Sequence, residues 1–347
     1  MLLALVLSIF ALCLYRIRFN LKGFNEDYLS RDCTNSIKGV FILLIVISHS
    51  IPYFKDCGYL FANPGDSLFL PFFFLLSQLV VVMFLFYSGY GVGESFKSKG
   101  DTYVKAMPRH RILGTLLNFD VAVLVFMVVD LLLGIELTAN QCLLSLTAWK
   151  NIGNDNWYIF VILLCYLMTY IVLRLPISKS SHRVVLLFGL CVICMIVLSF
   201  YKGTYWFNTI LCYPLGFMYS TYKESIEKCL KRSYWLCLLV VFAIFVPVFI
   251  LLHNCPSDRF QIGYNLVSIL FAMMLVILTL KVRICNQPLL WAGMHLFPIY
   301  IYMRLPMVVM KNKAPEFVGT YPALFILVSL VLTVLIARVY KHWEIKL

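Results

Sequence analysis

Apolar runs separated by short polar breaks fill this chain, and their lengths approach the roughly 17 to 25 residues that a helix needs to cross about 30 Å of hydrocarbon. Eleven such runs can be drawn, at about residues 2 to 15, 39 to 54, 68 to 90, 112 to 134, 156 to 173, 184 to 200, 204 to 222, 234 to 252, 262 to 280, 288 to 310 and 320 to 337. Only helices and closed barrels span lipid, and runs this long predict an all-α, polytopic transmembrane helical bundle. The first run is the shortest. No basic stretch precedes it, and Arg16 and Arg18 follow it, so it reads as an uncleaved anchor with its N-terminus outside rather than as a signal peptide. No polar break exceeds about two dozen residues, too few for a soluble domain of its own. The expected organisation is an anchor and linker over 1–30 followed by one membrane domain over 31–347. Heptads, low-complexity tracts and a clear internal repeat are absent.

Composition strengthens this picture. The chain is 62% hydrophobic and 13% charged, with mean hydropathy +0.89, far beyond a soluble domain. A net charge of +13 invites a nucleic-acid reading, but the placement of Lys and Arg argues against it. With breaks assigned alternately to two sides, one side holds 22 basic residues and the other six, leaving Arg304 inside the tenth run. Cytoplasmic loops carry such an excess, so the C-terminus is expected inside. The twelve cysteines lie mostly within runs, and the Cys191-to-Cys194 pair has no nearby histidine, so no metal site is expected. Cys57 and Cys255 fall on the predicted outer side, the compartment a disulfide would need.

Inside these runs a few ionisable residues stand out, because each is costly in lipid and therefore a functional candidate. His49 follows Lys38 by 11 residues, close to three turns and about 16 Å, which puts a base below a charged mouth on one helix face. Asp120 follows Arg109 by the same interval. If the two helices pack side by side, Asp120 accepts a hydrogen bond from one imidazole nitrogen and leaves the other as a general base. Arg109 and Arg111, with Lys38, are candidates for holding the phosphates of an anionic donor, whereas Lys97, Lys99 and Lys105 read as ordinary positive-inside charge. In FLFYSGYGVG, Ser88 and Gly89 permit close approach of a helix or ligand. Asn156, Trp157 and Tyr158 open the fifth run as an aromatic belt or a sugar-stacking surface. Arg304, some 16 residues into the tenth run, is expected in the outer third. His295 reads as an interfacial residue.

Taken together these strings resemble acyltransferase family 3, membrane proteins that move acyl groups, commonly acetyl, from acyl-CoA to sugars and surface polysaccharides. The likeness covers nearly all of residues 31 to 310. The family's basic residue, ten intervening residues and histidine fall on Lys38 and His49; its aromatic run ending in Ser-Gly-aromatic is similar to FLFYSGY; its basic stretch is similar to PRHR; and its Trp-aromatic helix start matches Asn156 to Tyr158. Its last signature is partly kept, with Gly293 and Tyr300 aligned but Met303 where a second histidine is usual.

The resemblance implies about ten core helices plus one N-terminal helix in a bacterial cytoplasmic membrane, acyl-CoA as donor, a lipid-linked or surface glycan as acceptor, no metal, and an oligomer left open. On this reading acyl-CoA docks by Lys38, Arg109, Arg111 and Ser88, and the thioester meets His49. The base is oriented by Asp120, and the acceptor approaches past Asn156, Trp157, Tyr158, Tyr300 and Arg304. A glycan or anion transporter is the rival class, since proton relays also bury His, Asp and Arg. The Lys38-to-His49 spacing and the basic rim, which a coenzyme needs and a pump does not, favour the enzyme.

Overall fold

The computed structural model describes residues 2–253 and 262–347, so Cys255, with its suggested pairing to Cys57, and Arg259 lie outside the described residues. In chain order the elements are α1 (Leu2–Leu14), β1 (Ile17–Phe19), α2 (Arg31–Asp56), α3 (Asp66–Leu76), α4 (Leu79–Met107), a π-helical turn (Pro108–Leu113), α5 (Gly114–Leu132), α6 (Ala139–Leu146), α7 (Trp157–Arg174), α8 (Ser180–Tyr201), α9 (Cys212–Thr221), α10 (Lys223–Arg232), α11 (Tyr234–His253), α12 (Tyr264–Thr279), β2 (Val282–Ile284), α13 (Gln287–Met294), α14 (Leu296–Tyr302), α15 (Arg304–Lys313), α16 (Pro315–Thr320) and α17 (Pro322–Val339). This is an all-α bundle apart from the short antiparallel ribbon β1–β2. Among the described residues, six helical segments are long and apolar enough to cross a membrane, one of them the run from Asp66 to Leu132. α11 shows what such a segment meets outside, with Trp235, Leu236, Leu239 and Phe242 all exposed and suited only to lipid.

The N-terminal 30 residues are tied into the bundle. β1 pairs with β2 through Ile17 and Ile284, and the Tyr28 hydroxyl meets Tyr219 at 2.7 Å and Glu227 at 2.9 Å. α2 then starts at a Ser30 N-cap, whose hydroxyl accepts the Cys33 amide, with Asp32 complementing the helix dipole. It runs unbroken past both Lys38 and His49, as the apolar pattern requires.

Two seams fix the neighbours of the site. A Cβ at Gly39 of α2 would run into the carbonyl oxygen of Leu289 in α13, and one at Gly293 would run into that of Asn35. In the same way Gly89 of α4 abuts the Tyr213 carbonyl of α9, and Gly216 the Phe86 carbonyl. Backbones meet here because no side chain stands between them.

The tenth apolar run is not one helix. Residues 39 and 35 of α2 meet 289 and 293, an antiparallel register, whereas His49 and Asp56 meet Arg304 and Lys311, a parallel one. The chain therefore changes direction along α2 between α13 and α15. Hydropathy registers only that the stretch is apolar, so the predicted single span over 288 to 310 is corrected to a short helix laid against α2 followed by α14 and α15.

Candidate active site

At the centre of the bundle three side chains from three elements converge. Asp155, 3% exposed, presents Oδ1 to Arg304 Nη2 at 2.8 Å and Oδ2 to His49 Nδ1 at 3.1 Å. Arg304 Nη2 also lies 2.7 Å from His49 Nδ1. Burial alone would raise the Asp155 carboxyl, but the Arg304 guanidinium and His49 outweigh it and hold that carboxyl below the usual range. Asp155 reaches this point on the loop ahead of α7. Asn156 ties that loop down by donating Nδ2 to the Ala148 carbonyl at 2.7 Å, and the Ile152 amide donates to Asn154 Oδ1 at 3.0 Å.

The geometry fixes what the imidazole can do. A guanidinium only donates, so with Arg304 on Nδ1 a neutral ring carries its proton on Nε2. For Nε2 to act as a base the proton must move to Nδ1. Asp155 Oδ2, buried and without another hydrogen-bond partner among the described residues, stands ready to accept the hydrogen bond from that Nδ1–H. Pro52, one residue short of a turn beyond His49, lacks the amide that would have bonded the Ser48 carbonyl, which loosens α2 beside the cluster.

Toward the Lys38 end of α2 lie two adjoining cavities of about 590 and about 660 Å³ that share Ser88, Arg111, Tyr158 and Leu296. Lys38, Arg31 and Arg111 all line the first. Among the described residues Lys38 and Arg111 form no ion pair, so both cations face open space, as an anion site requires. Among the described residues the only carboxylate lining that cavity, Glu94, is engaged by Ser220 Oγ at 2.7 Å and Lys97 Nζ at 3.1 Å. Between these cavities and the cluster stand two rings, Tyr158 and Tyr300, packed edge to face at 5.5 Å. The Tyr300 hydroxyl is buried without a hydrogen-bond partner among the described residues, close to Asp155 and Arg304.

One wall of the larger cavity is the segment from Glu344 to Leu347. Asn118 holds it, donating Nδ2 to the Ile345 carbonyl at 2.9 Å and accepting the Ile345 amide at 2.9 Å, while its Oδ1 also takes the Tyr340 hydroxyl at 2.9 Å.

A basic cavity joined through two buried tyrosines to an Asp–His–Arg cluster suits transfer of a group carried on an anionic donor. The sequence model of the acyltransferase 3 family, described as an acyltransferase domain, matches residues 32–340. The chain belongs to that family. No curated protein and no solved structure matches it significantly.

Within this acyltransferase the expected site residues separate into those brought together and those left apart. Lys38, Ser88, Arg111 and Tyr158 share one cavity, and His49 and Arg304 touch. Arg304 is not in the outer third of a straight helix: it opens α15 after the chain's change of direction and so lies level with His49. The carboxylate on His49 is Asp155 and not Asp120, whose Oδ1 is buried without a hydrogen-bond partner among the described residues. Nor does Asp120 keep the assumed relation to Arg109, because Pro108–Leu113 is a π-helical turn, which winds more than 3.6 residues per turn and removes the three-turn phase. Arg109 lines neither cavity. Asn156 and Trp157, 4% and 8% exposed, scaffold the loop and offer no open stacking face, with Trp157 packed on Tyr158 and Tyr205. His295 stacks on Trp291 and lines the larger cavity. Asp155 escaped the sequence reading because it falls in a polar break, although three consecutive polar residues, Asn154 to Asn156, abutting an apolar run were a signal for it.

Proposed function

We propose that this acyltransferase is an integral membrane O-acyltransferase that moves a short acyl group, acetyl in the first instance, from acyl-CoA to a hydroxyl of a sugar or surface polysaccharide. The observation that carries the reading is the arrangement along α2: a cavity lined by Lys38 and Arg111, neither in an ion pair among the described residues, about three turns from an Asp155-backed His49. The phosphates of the donor sit by Lys38 and Arg111, and the pantetheine arm runs past Ser88 and Tyr158. Tyr158 and Tyr300, 6% and 2% exposed, crowd the end of that path and favour a small acyl group.

At the cluster the ring proton shifts to Nδ1 as Arg304 turns from that nitrogen to Asp155 alone; Asp155 then accepts Nδ1–H, and His49 Nε2 takes the proton of the acceptor hydroxyl. The acceptor oxygen attacks the thioester carbonyl, the carbon–sulfur bond breaks, and the leaving thiolate recovers the proton from His49. Arg304, held on Asp155 Oδ1, and the free Tyr300 hydroxyl supply donors for the developing oxyanion. The Lys- and Arg-rich end faces the cytoplasm, where acyl-CoA is found, and the acceptor approaches from the opposite side.

The test is transfer of radiolabelled acetyl from acetyl-CoA into the glycan fraction of membranes containing the wild-type chain or His49→Ala at matched expression. Label that vanishes in the variant supports the reading. Label that persists removes His49 from the chemistry, and no label from wild type across several acyl donors favours a transporter.

A further inference from the structure

Beyond the His49 cluster, on the side away from Lys38, lies a third cavity of about 430 Å³, within the roughly 300–1,000 Å³ of small-molecule sites. Three elements lead from the cluster into it together. Tyr53 follows His49 by one turn of α2, Val308 follows Arg304 by one turn of α15, and Ile152 and Gly153 precede Asp155 on its loop; all four line the cavity. Tyr53 adjoins Arg304 directly. The cavity is thus the antechamber of the cluster opposite the basic one. Its other polar lining is Asp130, Glu136, Gln141, Asn151 and Asn312. Asp130 is 2% exposed and meets no hydrogen-bond donor among the described residues, so a buried carboxylate is left facing the space. Among the described residues the one cation on the lining, Lys311, is engaged by Asp56 at 2.8 Å.

We infer that this cavity is the acceptor subsite and that it selects a neutral polyhydroxyl ring against an acidic one. The inference rests on the reading of the His49 cluster as the transfer centre. Carboxylates and amides are the groups that bind adjacent hydroxyls, and the Tyr53 ring gives a flat face beside them. An anionic sugar would bring its carboxylate against Asp130 and Glu136 with no free cation on the lining among the described residues to meet it, a repulsive element that sets specificity. Asp130 is the specificity-determining residue and Glu136, exposed at the rim, reinforces it.

Binding is measured on the His49→Ala chain in nanodiscs free of sugar detergent, by saturation-transfer NMR with methyl β-glucopyranoside and methyl β-glucopyranosiduronate as probes. The glucoside signal should exceed that of the uronide at least fivefold. Asp130→Asn should lower the glucoside signal at least threefold and collapse the discrimination. Glu136→Lys, a surface change that leaves the buried lining intact, should raise the uronide signal even if Asp130→Asn folds poorly. Equal binding of the two probes, or discrimination unmoved by Glu136→Lys, overturns the proposal. The readout needs no catalysis. Selective binding without label transfer therefore removes the transferase reading and keeps the subsite, while His49-dependent transfer without selective binding does the reverse.

Discussion

Replacing Asp155 by Asn is the sharpest probe of the cluster, because it keeps the shape of the side chain and removes only its charge. The carboxylate makes two contacts, 2.8 Å to Arg304 and 3.1 Å to His49, while 3% exposed itself. Breaking a buried pair costs about 3–5 kcal/mol, and the 26% and 20% exposures of Arg304 and His49 place this one at the lower end, about 3 kcal/mol of stability. The kinetic effect is larger. Where an amide replaces the carboxylate that orients a catalytic histidine, kcat falls by about 10⁴; partial access of water to His49 as a substitute acceptor brings the expectation to about 10³, roughly 4 kcal/mol. The KM for acetyl-CoA should move less than about threefold, since Lys38 and Arg111 lie about three turns of α2 away. Thiol release from acetyl-CoA in reconstituted protein gives both constants, with thermal unfolding measured in parallel. Asp155→Asn together with His49→Ala should be no slower than His49→Ala alone, as for groups acting as a unit. Asp155→Asn with more than a tenth of wild-type kcat and an unchanged unfolding temperature would refute the assignment of Asp155 as the orienting group.

Lys38→Ala should raise the KM for acetyl-CoA about tenfold or more with little change in kcat, while Lys38→Arg, which restores a charge with a bidentate fork, should bind as well or better; a kcat effect in place of a KM effect would move Lys38 out of the donor site. Gly39→Ala forces a methyl against the Leu289 carbonyl and should cost at least about 1–3 kcal/mol of stability, read as a lower unfolding temperature. Asn118→Ala releases the segment from Glu344 to Leu347 and should cost about 1–3 kcal/mol while making that segment the first site of limited proteolysis. Asp155 is held below its ordinary value in the folded state, so its stabilisation is fully present above the unfolded carboxylate value of about 3.9 and is lost as pH falls toward the native one; acid unfolding should flatten in Asp155→Asn.

The apolar spans were legible because lipid thickness imposes a length that any window of residues reveals, and α2, α7 and α8 fall where their runs predict. Hydropathy is silent on direction, so the reversal between α13 and α15 was invisible, and with it the depth of Arg304. Helical spacing gave the Lys38–His49 relation correctly in regular α2 and misled at Asp120, where the π-helical turn breaks the count. Asp155 required knowledge of the loop path, which depends on capping bonds such as that of Asn156 to the Ala148 carbonyl and leaves no periodic trace. The cavity beyond His49 on the side away from Lys38 draws on residues from α2, α5, α6, the Asn151–Gly153 loop and α15, and such an assembly is written only in the tertiary packing.

The glycine seams bear on motion. With Gly39 and Gly293 pressed against facing carbonyls, α2 cannot slide along α13, and Gly89 and Gly216 lock α4 to α9 in the same way. Each pair moves as a stiff plate. Lys38 and His49 ride on one plate and Ser88 on the other, so on the proposed reading a bulky donor would enter by the plates parting as units, which widens the mouth without altering the distance from Lys38 to His49. The ruler that measures the donor's reach is thereby kept fixed while the door beside it opens.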